Sequence, residues 1–206
     1  NKGQDALAKD LFNKSLKYTL FLMMPFLLLF WVISGFLITA LTTRDFSAGA
    51  VIIPYILCAY LVFFIGNFAE NILLMKNRTR VIFIAYGISA LSNVIINILL
   101  VPRMGITGAA IATLLTFILH AIIIIVSVLR YGIFHIDLGY IVKFLLSSAL
   151  MFGIVRMVSP VSLVNAPVIL ALGFLIYLAF MRLFGIPGKG EAVILKEMIF
   201  GRFKTG

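Results

Sequence analysis

Residues 81–129 read VIFIAYGISALSNVIINILLVPRMGITGAAIATLLTFILHAIIIIVSVL, and this stretch decides the fold. It holds two apolar runs of about 20 residues, the length a helix needs to cross a bilayer core roughly 30 Å thick. Between them, Pro102-Arg103-Met104-Gly105 reads as a tight turn, with Pro ending one helix and Gly easing the start of the next. The runs are continuously apolar rather than alternating, so helices are expected and barrel strands are not.

The rest of the chain repeats the pattern. Apolar spans are expected at 18–41 (A), 49–75 (B), 81–101 (C), 106–129 (D), 140–158 (E) and 161–181 (F). The expected fold is therefore an all-α integral membrane protein of about six transmembrane helices. Composition agrees: 63% of the 206 residues are hydrophobic and 12% charged, with a mean hydropathy of +1.19. A soluble domain of this size has no way to cover that much apolar surface.

The formal charge of +10 sits in short clusters between spans, not on one folded face, so no nucleic-acid partner is expected. Arg44, Arg103 and Arg156 fall on one side of the membrane, and the other 14 of the 17 basic residues on the opposite side. The positive-inside rule then puts both ends in the cytoplasm, and the cytoplasmic (inner) membrane is the expected location. Residues 1–17, with Lys2, Lys9, Lys14 and Lys17 between Ala6, Leu7, Leu11, Phe12 and Leu16, read as a basic lead-in. On the inner leaflet it would be an amphipathic helix; otherwise it is a solvated start to span A. Residues 182–206 read as a basic tail, 18–129 as a four-helix unit and 130–181 as two additional helices.

One cysteine and two histidines supply neither a disulfide nor a four-ligand zinc site without carboxylates, so no metal and no cofactor is expected. No phosphate loop or nucleophile elbow is present, and no enzymatic role is expected.

Polar residues inside spans are costly and call for a physical account. In span C, Tyr86, Ser89, Asn93 and Asn97 recur at helical spacing and share one face. They are candidates to line a substrate cavity, or to bond neighbouring helices. In span D, Gly105, Gly108, Ala109 and Ala112, with Thr113 and Thr116, offer small side chains for close helix packing. His120 continues that face, as a proton-responsive group or a neutral hydrogen-bonding partner. Glu70 is the one carboxylate well inside a span, with Asn67 and Asn71 beside it. No Lys or Arg stands one turn further on, so its partner must come from another helix, water or a cation. Glu70 and His120 are the candidates for ion or proton coupling. Pro25 and Pro54 are expected to kink spans A and B.

The segment from Asn93 to Thr113, with its paired Asn93 and Asn97, Val101-Pro102, Gly105-Ile106 and Gly108-Ala109-Ala110, resembles a known family. It is similar to the polysaccharide (O-antigen type) flippases of the multidrug/oligosaccharidyl-lipid/polysaccharide exporter superfamily. The proline-bearing span A and the basic loop Lys76–Arg80 are similar too. The drug/sodium antiporters and peptidoglycan-precursor flippases of the superfamily share related turns. The resemblance implies a two-lobed exporter of which this chain is the C-terminal half, consistent with its start at Asn1 without an initiator Met. It further implies a polyprenyl-diphosphate-linked oligosaccharide substrate, moved between leaflets by alternating access, with membrane lipid and the N-terminal lobe as partners. A cation-coupled antiporter of the same superfamily and a membrane enzyme of lipid-linked sugar metabolism are the alternatives.

Overall fold

The computed structural model describes residues 2–41, 49–134, 137–157 and 165–186. Five helices account for nearly all of them: α1 (Lys2–Leu41), α2 (Ile53–Met75), α3 (Thr79–Leu129), α4 (Leu138–Met157) and α5 (Ala166–Leu183). Each contains a window long and apolar enough to cross a membrane. Outward-facing side chains such as Phe83, Leu91, Ile98, Val126 and Leu175 are strongly exposed, as expected of a surface solvated by lipid. The chain is an all-helical, multi-pass membrane protein.

Spans C and D are both inside α3. At 51 residues this helix would run about 76 Å if straight, more than twice the bilayer core. It is folded instead. Gly105 alone leaves helical geometry, at φ 56° and ψ −134°, a region open to glycine and closed to side chains with a Cβ. Asn93 meets Thr116 and Ser89 meets His120, two pairs symmetric about the Met104–Gly105 bond. The limbs 79–104 and 106–129 are therefore an antiparallel hairpin, tighter than the four-residue turn that the sequence suggests. Gly108 makes the closure possible: a Cβ there would lie 2.5 Å from the Leu100 carbonyl oxygen.

Prolines set two helix starts. Pro54 sits in the first turn of α2, after a 3₁₀ turn over 49–52, where its missing N–H has no partner to lose. It starts the helix instead of kinking it, contrary to the expectation from sequence. Pro167 does the same in α5, so that helix begins at Ala166, later than the expected 161. Residues 158–164 lie outside the described residues, as do the A–B loop with Arg44, His135 and the tail beyond residue 186.

α2 packs against both limbs of α3, while α1, α4 and α5 pack together and α1 touches α2. α1 is 40 residues long, roughly 60 Å, so it overshoots the bilayer core by several turns. Its early turns rest on the bundle. Leu16 is buried, Phe12 sits 4.7 Å from Phe68 between ring centroids, and Asn13 donates to the Ile133 carbonyl at 3.1 Å. The side chains of Ala6, Leu7 and Leu11 lie outside the described residues.

Candidate functional site

Two close approaches bring polar side chains of three helical segments together. Gly66 of α2 lies against Ala121 of the second α3 limb, where a Cβ on Gly66 would meet Ala121 Cα at 3.1 Å. One turn beyond, Glu70 meets His120: Nε2 and Oε1 are 2.7 Å apart, joining residues 50 positions apart in sequence. The imidazole is 1% exposed and the carboxylate side chain 11%. The partner that Glu70 lacks on its own helix is thus supplied by a neighbouring one. A carboxylate oxygen and an imidazole nitrogen this close share one hydrogen bond, and that bond joins α2 to the second α3 limb.

The first α3 limb closes the cluster. Ser89 Oγ makes a long 3.5 Å contact with His120 Nδ1, so both ring nitrogens face polar atoms. Tyr86 donates its hydroxyl to Asn67 Oδ1 at 3.0 Å, and the same hydroxyl lies 3.5 Å from Glu70 Oε2. Its ring stands 4.5 Å from that of His120. Phe63 and Phe117 stack at 4.4 Å, and Phe63 borders the imidazole at 5.8 Å. Aromatic faces thus keep the pair out of lipid and water. Tyr86 is 42% exposed, so the cluster has an accessible rim next to Asn71, which is also exposed.

The polar stripe of span C divides in two. Toward the turn, Asn93 donates to Thr116 Oγ1 at 3.1 Å, and Asn97 donates to Asn93 Oδ1 at 3.0 Å and to the Asn93 backbone carbonyl. Thr116 and Thr113 return their hydroxyls to the carbonyls of Ala112 and Ala109. This half ties the two limbs of the hairpin together. The other half, Tyr86 and Ser89, joins Glu70 and His120. Among the small residues of span D, Gly108 and Ala112 are buried, Ala109 is half-buried and Gly105 is exposed at the turn.

Sequence reading placed Glu70 and His120 on separate helices and gave no sign that they meet. It also passed over Phe63 and Phe117, although Phe117 stands one turn before His120 and Phe63 two turns before Glu70. Among the described residues no group of three His, Cys, Asp or Glu is placed to hold a metal.

No family model matches the sequence, and no curated protein matches it either. Among solved structures, the fold is similar to that of the lipid II flippase MurJ in its inward closed conformation. The TM-score is 0.73 at 23% identity, over 84% of this chain and 38% of that one. The chain therefore spans well under half the length of the protein it resembles, and it shares with that membrane flippase a fold.

Proposed function

We propose that this chain is the C-terminal lobe of a flippase for lipid-linked saccharides. The cargo we infer is a polyprenyl-diphosphate-linked oligosaccharide, moved from the inner to the outer leaflet of the cytoplasmic membrane by alternating access. A preceding lobe of the same protein would complete the cavity. The buried Glu70–His120 contact, set in an exporter-like fold, carries this reading. Ionisable residues inside a membrane are rare and mark proton relays and ion pathways, and changing the protonation of this pair changes what holds α2 to α3.

In this account Glu70 and His120 carry the coupling proton. Tyr86 reports their state to the exposed rim, because its hydroxyl bridges Asn67 and Glu70. Tyr86 loses its α2 partners when the hairpin and α2 separate and is then free to bond sugar, with Ser89, Asn93 and Asn97 on the same face of its limb. None of the described Lys or Arg side chains belongs to the cluster, and we assign the cations for the diphosphate to the other lobe. The surplus of basic residues on one side supports cytoplasmic placement of both ends.

Reconstitution of the full-length protein tests the reading. Vesicles loaded with a fluorescent polyprenyl-diphosphate oligosaccharide should show protein-dependent exposure of label on the opposite leaflet. Cation-dependent extrusion of a lipophilic dye without sugar-lipid flipping would assign the chain to the antiporters instead.

A further inference from the structure

Proline at position 25 lies in the interior of α1 and is among the fully buried side chains. It has no N–H, so the carbonyl one turn earlier, on Phe21, loses its helical donor. In a bilayer an unpaired carbonyl has no water to turn to. Here α5 supplies the donor: Tyr177 gives its hydroxyl to the Phe21 oxygen at 2.8 Å, across 156 positions of sequence. Tyr177 is completely buried, and its ring lies 5.5 Å from that of Phe21.

A second set of hydroxyls stands at the same level. α1 and α4 run parallel, with Lys17 over Tyr140, Phe21 beside Phe144 and Trp31 beside Phe152. That register puts Ser147 and Ser148 level with Pro25. Both serines are 0% exposed, and neither hydroxyl has a hydrogen-bond partner. Serines and threonines in helices ordinarily return the hydroxyl to the preceding turn, as Thr113, Thr116 and Ser127 do here. Two adjacent orphaned hydroxyls in an apolar interior call for a reason.

We propose that Pro25 is a hinge of α1 with two alternative hydrogen-bond partners for the carbonyl it frees. In this conformation Tyr177 of α5 holds the Phe21 oxygen, and the serine pair of α4 waits. In a second conformation α1 leans toward α4, and Ser147 or Ser148 takes the carbonyl from Tyr177. Each state satisfies one carbonyl, so the two differ little in energy and α1 can switch between them. This device goes beyond the flippase reading and holds whatever the cargo is.

Distance measurement between spin labels tests it on the full-length protein in lipid nanodiscs. Labels go on the exposed positions Phe30, beyond the hinge, and Leu115, on the second α3 limb, with Cys58 replaced by Ser. Tyr177→Phe removes one oxygen and should raise the ratio of the second distance to the first about fivefold, as expected for one net hydrogen bond. Ser147→Ala/Ser148→Ala should lower that ratio by a similar factor. Pro25→Ala restores the helical N–H, so it should make the distances insensitive to Tyr177→Phe. A role in packing alone would move both hydroxyl variants in the same direction. That result overturns the proposal, and so do distances unchanged by either variant.

Discussion

Replacing Glu70 and His120 singly and together shows what the pair contributes. Glu70→Met leaves a buried imidazole without its partner, and His120→Phe leaves a carboxylate facing aromatic rings. Interhelical hydrogen bonds in membranes average about 0.6 kcal/mol, with an upper end near 1.7 kcal/mol. This contact belongs at or above that upper end, because it is 2.7 Å long, charge-capable and almost fully buried. Each single change should therefore cost roughly 2–4 kcal/mol, since it strands a polar group in a dry site. The double change removes both stranded groups and fills the space with apolar atoms, so it should cost less than either single one. Reversible unfolding in bicelles, followed by steric trapping, supplies the three free energies. The coupling should exceed the larger single cost, so at least about 2 kcal/mol. Additive costs, with a coupling below about 0.5 kcal/mol, would show that the two side chains act independently and refute the reasoning.

Other predictions follow from the same geometry. Gly108→Ala pushes a methyl group against the Leu100 carbonyl oxygen at 2.5 Å, so it should destabilise the hairpin by about 1–3 kcal/mol, measured as a lowered Tm in detergent. Gly105→Ala forces a Cβ into a backbone region that only glycine occupies readily, costing about 1–3 kcal/mol by the same assay. Asn93→Ala loses the bond to Thr116 and should cost roughly 0.6–1.7 kcal/mol of stability. Tyr86→Phe leaves the half-exposed ring in place but removes the hydroxyl that links Asn67 and Glu70. It should slow transport several-fold with little change in Tm, and an equal loss of both would assign Tyr86 to packing.

The fold is legible in the sequence where a single segment contains the whole signal. Apolar runs of bilayer length mark each helix, and Pro102 to Gly105 marks the hairpin, although only Gly105 breaks the helix. Pro54 and Pro167 start their helices, yet in the sequence a proline in an apolar run looks the same whether it starts a helix or kinks one. The site is legible only in pieces. Spacing puts Tyr86, Ser89, Asn93 and Asn97 on one face, and Glu70 stands out as a lone acid. Which helices abut is a property of the packed bundle, decided by Gly66 against Ala121 and Gly108 against Leu100. The pairing of Glu70 with His120, the Phe63–Phe117 wall and the Tyr177–Phe21 bond all depend on it.

The most direct test of the central claim is sugar-lipid flipping by the full-length protein in vesicles with an imposed pH gradient. Wild-type protein should translocate the polyprenyl-diphosphate oligosaccharide faster with the gradient than without it. Glu70→Gln, which replaces the carboxylate with an amide of the same shape, should abolish that acceleration. Flipping that ignores the gradient, or a Glu70→Gln variant that responds as wild type does, would contradict the account.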